Sequence, residues 1–289
     1  MSGKRWEHLL LPRSNDAMIW ELFHENSKIG RYGQLLPDRL TRKWMHDLHE
    51  SLPFEGYPAV ELPGRLPRLK DALTDVMRRR TSVRDFVPGP IMLRELAAIL
   101  HYGYGVSRHR KRSHNSRSLR LVPSGGAVYP LEIFFYSTQI RGLRSGVYHY
   151  NPPQNNIRLL RQGDATEDLA FRLVETESGH GPAIARSASV VLFITAIFER
   201  STFKYGDRGY RLICLEAGHV AQNINLIVTA LNLGSVNITG FFDREMDDFL
   251  RLDGLSHSTM YMIAIGQPNK RTHALQVERT GPYEAHQSE

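Results

Sequence analysis

Between Tyr210 and Leu233 the chain reads YRLICLEAGHVAQNINLIVTALNL, a proline-free run whose apolar residues fall on almost every side of a helix. A helix that is apolar all round is buried, so this one belongs at the centre of a fold or at an interface between two copies. Gly234 stands where a C-terminal cap belongs. The single Cys214, inside that helix, reads as a small core residue. As the only cysteine it excludes a disulfide framework and a Cys-based zinc site.

The elements around this helix alternate in type. ASVVLFITAIF, at Ala188 to Phe198, is continuous and β-branched, the pattern of a strand buried on both faces. LEIFFYS (Leu131 to Ser137) and MYMIAIG are two further strands, and GVYHYNPPQNNIRLL reads as strand, turn and returning strand. Leu93 to Tyr102 forms a helix with Leu93, Leu96, Ala97 and Leu100 on one face, ended by Gly103 and Gly105. Leu66 to Met77 is a further helix, with Leu69, Leu73 and Met77 at helical spacing, and Asp243 caps one more in GFFDREMDDFL. Residues 15 to 29 form a short helix, and the stretch to Pro67 is polar, proline-rich and without a period, an extended wrap. The result is an α/β or α+β domain over 66–289, preceded by an N-terminal extension over 1–65.

Composition is that of an ordinary soluble chain of 289 residues, 41% hydrophobic and 23% charged. The start, MSGKRWEHLL, lacks the apolar core of a signal peptide. The longest uncharged apolar stretch is shorter than the roughly 20 residues that cross a bilayer. A cytoplasmic protein with no membrane partner is expected. Net charge is +7, but Ser107 to Arg120 alone holds six Lys or Arg and no acid, which leaves about +1 elsewhere. The basicity belongs to one loop, solvated or set against an anionic partner, and no aromatic interleaving suggests nucleic acid.

Three segments carry candidate chemistry. Arg78 to Arg84 (RRRTSVR) offers clustered guanidiniums and hydroxyls suited to a phosphate, or a basic helix end that complements the dipole. Pro123-Ser124-Gly125-Gly126, just before a strand, either lets the backbone approach a flat ligand or is a plain turn. Lys204 and Tyr205 lie where the long helix begins. Burial and the cations Arg208 and Arg211 would depress the lysine toward general-base range, unless the pair is an exposed polar start. The thirteen histidines form no metal-binding spacing, and no metal is expected.

Taken in order, FHENSK, RRRTSVRDF, PSGGAVYPLEIFF, GVYHYNP, KYGDRGYRLICLEAGHVAQNINL, GFFD and YMIAIGQP resemble the nitroreductase superfamily. Within it they are similar to the SagB-type dehydrogenases, azoline oxidases of thiazole/oxazole-modified peptide pathways. The resemblance implies an α+β fold, a central and mostly antiparallel sheet flanked by helices, in an intertwined homodimer with FMN at the interface. It implies that Arg80, Ser82 and Arg84 hold the FMN phosphate and that Pro123, Ser124 and Gly125 lie against the isoalloxazine. Gly240 would approach the flavin edge, Lys270 or Arg271 would add a phosphate contact, and Lys204 and Tyr205 would be catalytic. It further implies work alongside cyclodehydratase subunits on a leader-bearing precursor peptide.

The implied reaction removes a ring proton α to a carbonyl while the adjacent carbon gives hydride to flavin N5. Thr81 stands where the family often has a second Arg, and no acid immediately precedes Gly240. The latter favours substrate dehydrogenation over reduction by NAD(P)H. An NAD(P)H-driven nitro, quinone or flavin reductase and a non-catalytic scaffold remain the alternatives.

Overall fold

The computed structural model describes residues 19–31, 37–110, 117–175 and 180–269. Its centre is one antiparallel sheet. The strands are β1 (Ala59–Glu61), β2 (Phe86–Val87), β6 (Leu131–Ser137), β8 (Gly146–Asn151), β9 (Asn156–Gln162), β10 (Val190–Ile197), β11 (Gly234–Ile238) and β12 (His257–Pro268). They run in the order β1-β9-β8-β6-β10-β12-β11, with β2 added on β12. Two short pairs stand apart: β3 (Ile91–Met92) with β7 (Ile140–Arg141), and β4 (Val106–Arg110) with β5 (Arg117–Arg120).

The pleat divides each central strand between two cores. On β10, Val190, Leu192 and Ile194 face the side covered by α4 (Leu93–Tyr104) and α8 (Arg208–Ala230). Val191 and Phe193 face the side covered by α5 (Thr166–Phe171), α6 (His180–Ser187) and α9 (Asp243–Leu250). Both faces being covered explains the unbroken apolar run of β10. The remaining helices are α1 (Ile19–Asn26), α2 (Asp38–Asp47), α3 (Leu73–Arg79) and α7 (Glu199–Tyr205).

Several expectations are corrected. The long helix is capped by Asn232, at φ 57°, not by Gly234. Leu233 N–H donates to Val228 C=O and Asn232 N–H to Thr229 C=O, both at 3.0 Å, a Schellman ending. Gly234 instead opens β11, where a β-carbon would lie 2.9 Å from Val83 Cβ. Gly103 sits inside α4, because α8 passes so close that a β-carbon there would meet Ile224 Cγ1 at 2.7 Å. Cys214 is exposed in the single chain, as is Leu215 at 60%, so α8 buries one face on the sheet and leaves an apolar face outside. Asp243 is the first residue of α9, and Phe242 holds the cap position without a side-chain bond.

The helix expected over 66–77 is only α3, whose Leu73 and Met77 point outward while Val76 is buried. The irregular wrap contains α2, and β1 from the same stretch extends the main sheet. The basic loop is the β4–β5 hairpin, with 111–116 outside the described residues. Its Arg120 is buried at 6% exposure, not solvated.

Candidate active site

β6 and β10 are neighbours, and their ends bring two distant segments together. Ile197 N–H, at the end of β10, donates to Pro130 C=O at 2.9 Å, at the start of β6. The chain before Pro130 is the Pro123–Tyr129 turn, and the chain after Ile197 is α7. Lys204 and Tyr205 occupy the last turn of α7 and do not begin the long helix, as the sequence reading had it. Gly206, at φ 56°, breaks the chain between the two helices.

Within the turn, Gly126 has φ 66°, and Ala127 and Tyr129 are also left-handed. Non-glycine residues in that region are strained and are held there by their surroundings. Ser124 supplies the hold, accepting from Ala127 N–H through its carbonyl at 3.1 Å and from Tyr129 N–H through Oγ at 3.0 Å. A β-carbon on Gly126 would lie 2.5 Å from Lys204 Nζ and 2.5 Å from Tyr205 OH. The two side-chain tips are therefore no more than 5.0 Å apart, since each lies 2.5 Å from one point. Both side chains are half-buried. Lys204 has no ion-pair partner among the described residues. Its ammonium sits 5.3 Å from the Tyr205 ring centroid.

Beneath the turn, Gly125 packs on α8, a β-carbon there falling 3.1 Å from Leu212 Cδ1. One helical turn further along, Glu216 is buried and accepts from Tyr104 OH at 2.9 Å. Burial pushes its carboxyl up to about 7, against hydrogen bonds from Ser124 and Tyr104 and the charge of Arg120. The Arg120 guanidinium lies 4.0 Å from the Tyr104 ring centroid, and its Nη1 is buried without a hydrogen-bond partner. A cavity of about 440 Å³ opens here, lined by Arg108, Arg120, Pro123, Ser124 and Tyr129 among others. Sequence reasoning missed Tyr104, Arg120 and Glu216. The one signal was an acid within an otherwise apolar helix.

The other predicted residues gather elsewhere. Ser82 bridges Ser235 of β11, and Val83 N–H donates to Ser235 C=O at 2.9 Å. Ser235 Oγ donates to Asn225 Oδ1 of α8 at 3.0 Å. Arg79 is consumed by Asp71 and Asn232, while the guanidiniums of Arg80 and Arg84 have no hydrogen-bond or ion-pair partner among the described residues. Gly240 follows the same β11, its carbonyl accepting from Val174 N–H at 2.9 Å. Leu212 and Asn225 are thirteen residues apart on α8, about 20 Å at 1.5 Å per residue. Within one chain the 80–84 segment and the 123–126 turn thus lie toward opposite ends of α8 and do not meet. Lys270 and Arg271 lie outside the described residues.

A second polar cluster was not foreseen. Glu132 of β6, fully buried, accepts from Arg200 Nη1 at 2.6 Å, Ser51 Oγ at 3.0 Å and Leu52 N–H at 3.0 Å. His149 Nε2 lies 2.7 Å from Oε2, the oxygen that also accepts from Ser51. Burial works against the carboxylate, but His149 and the Arg200 charge overcome it and hold the group well below the usual carboxylate range. No group of three or more His, Cys, Asp or Glu among the described residues is arranged to hold a metal. No helix among them is long and apolar enough to cross a membrane.

The profile described as "Nitroreductase family" matches residues 77–267. The Methanocaldococcus jannaschii protein MJ1384, named a nitroreductase, is 38% identical over 65% of this chain and 89% of its own length. The Trifolitoxin-processing protein TfxB of Rhizobium leguminosarum bv. trifolii is 28% identical over 90% of this chain and 73% of its own. The Microcin B17-processing protein McbC of Escherichia coli is 29% identical over 52% of this chain and 55% of its own. Among solved structures, a nitroreductase from Anabaena variabilis has a TM-score of 0.67 at 23% identity, covering 90% of this chain. The E. coli microcin synthetase McbBCD complex contains a chain with TM-score 0.56 at 22% identity, covering 87% of this chain and 92% of that one. This chain spans about half the length of the Anabaena chain (49%) and of McbC.

Proposed function

The chain belongs to the nitroreductase family, and we propose that it is an FMN-dependent azoline dehydrogenase. In this reading it oxidises thiazoline or oxazoline rings of a ribosomally made peptide to thiazole or oxazole. The observation that carries the reading is the convergence of Lys204 Nζ and Tyr205 OH on Gly126. It sets a base and a hydroxyl donor against a glycine turn that has no side chain to keep a flat ring away. The processing proteins McbC and TfxB, similar to this chain over half and nine-tenths of its length, support the substrate class.

The residues fit an FMN. Arg80 and Arg84 are unpaired guanidiniums that would bind its phosphate, with Ser82 beside them, since Arg–phosphate bonds are charge-assisted and bidentate. Pro123, Ser124 and Gly125 would lie against the isoalloxazine, and Gly240 would border it. Because the two sets lie toward opposite ends of α8, one FMN takes them from two protomers. The exposed apolar face of α8 at Leu215 is the surface for that homodimer. FMN, when bound, supplies the acceptor for the hydride leaving the ring.

Lys204 Nζ takes the ring proton α to the carbonyl. Tyr205 OH holds the substrate or relays that proton. Ser124 and Glu216 keep the turn in place beneath the substrate. The catalytic unit is 66–289, with 1–65 as an extension whose Ser51–Leu62 stretch is built into the sheet and core of that unit. Cyclodehydratase subunits and a leader-bearing precursor peptide are its partners, and the 107–120 hairpin and the extension are their docking surfaces.

The test is to incubate the FMN-loaded protein with an azoline-bearing peptide in air and follow the peptide by mass spectrometry. Loss of two hydrogens per ring without any nicotinamide is expected. An unchanged peptide, alongside NAD(P)H-driven reduction of a nitroarene or quinone, would overturn the reading in favour of a reductase.

A further inference from the structure

On the face of the sheet opposite α8, a second cavity of about 520 Å³ lies among β6, β8, β9, the 52–57 loop and the end of α9. Phe54, Tyr57, Phe134, Phe249 and Leu252 give it a largely aromatic wall. Nothing in the reaction proposed above uses it.

Its charges are unbalanced. The Asp253 carboxylate is consumed by its own loop, accepting from the N–H groups of Leu255, Ser256 and His257 at 2.9 Å each. Asp168, the carboxylate that acts on Arg161 from outside the cavity, is ion-paired with Arg172. His257 is tied to Thr195 Oγ1 at 2.7 Å, and burial holds it neutral, its pKa lowered to about 4. Two guanidiniums remain. Arg161 of β9 stacks on Phe249 at 4.5 Å from the ring centroid, with its Nη2 buried and without a hydrogen-bond partner. Arg251, left-handed at φ 59°, ends α9 at the rim with an exposed side chain. Neither has a carboxylate or carbonyl partner among the described residues. A buried donor left unsatisfied is costly, more so when charged, and a carboxylate is the acceptor that fits a guanidinium edge.

We propose that this cavity is a second ligand site, which takes a small aromatic carboxylate: the ring among Phe54, Tyr57, Phe134 and Phe249, the carboxylate on Arg161 and Arg251. The site stands independently of the azoline reading, and its readout is binding, not turnover.

The test uses the full chain saturated with FMN, so that the flavin site is filled. It is titrated calorimetrically with N-acetyl-phenylalanine and, separately, with N-acetyl-phenylalaninamide, the same body without the charge. The acid is expected to bind at least tenfold more tightly than the amide. R161Q should abolish that preference, and R251Q should reduce it. L252W, which fills the cavity and keeps both arginines, should remove binding of both compounds. Unchanged flavin content and thermal unfolding of R251Q and L252W separate these effects from misfolding. Equal binding of acid and amide, no binding of either, or a preference that survives in both arginine variants would overturn the proposal.

Discussion

The amine of Lys204 lies 2.5 Å from the point where Gly126 would carry a β-carbon. Residues 78 positions apart in sequence are thus in contact by virtue of one missing side chain. Gly126→Ala meets both a left-handed φ of 66° and a collision with Lys204 and Tyr205. The conformation alone costs an alanine about 1–2 kcal/mol. The variant is expected to lose at least that much unfolding free energy, with a lower urea midpoint, and to lose azoline oxidation more than tenfold, measured by denaturation and by peptide mass spectrometry.

Lys204→Ala removes the proposed base, and a general base contributes roughly 10²–10⁴-fold. A loss of that size is expected with the FMN content unchanged. Tyr205→Phe should lose less, because the base remains. Single-turnover rates measured anaerobically check both.

Arg80→Ala and Arg84→Ala should each weaken FMN binding roughly ten- to hundredfold, the worth of a charge-assisted hydrogen bond of about 1.5–3 kcal/mol. Riboflavin, which lacks the phosphate, should bind the variants as it binds the parent. Flavin-fluorescence titration of the apoprotein with the two ligands separates these outcomes.

Glu216 and His257 drive stability in opposite directions with pH. Glu216 is raised from 4.5 to about 7, so its contribution is full below pH 4.5 and is lost as pH rises through 7. At most that is about 3 kcal/mol. His257 is lowered from 6.5 to about 4, so its contribution is full above pH 6.5 and is lost as pH falls toward 4. The two slopes offset in the parent chain. Glu216→Gln should leave stability rising from pH 4 to 6.5, and His257→Gln should leave it falling from pH 4.5 to 7. Urea denaturation across that range reads both slopes, and equal slopes in the two variants would contradict the assignment.

Glu132→Gln strips a buried carboxylate from Arg200 and should cost about 3–5 kcal/mol, because an uncompensated guanidinium stays inside. Glu132→Gln with Arg200→Met should cost less than the sum of the single changes. A double-mutant cycle by urea denaturation measures the difference.

What was legible beforehand was local. The compact apolar run of β6, the continuous β-branched run of β10, the hairpin β8–β9 and the length of α8 are written in neighbouring residues. The ordered motifs carried the family and the fold. What was not legible depends on distant partners. Gly103 reads as a helix stop until Ile224 is seen against it, and Gly234 reads as a cap until Val83 is seen there. Cys214 counts as core only if the outer face of α8 is covered, which one chain does not do. The Glu132–Arg200–His149 cluster joins three elements, and nothing in any one of them announces the other two. The pairing of the glycine turn with Lys204 and Tyr205 is of the same kind, set by a sheet register rather than by a local pattern.

The central claim is that this chain takes electrons from an azoline. It is tested most directly by titrating the FMN-loaded protein anaerobically with an azoline peptide while recording the visible flavin absorption. The account predicts bleaching with azoline alone, and none in Lys204→Ala. A flavin that stays oxidised with azoline and bleaches only with NAD(P)H would contradict it.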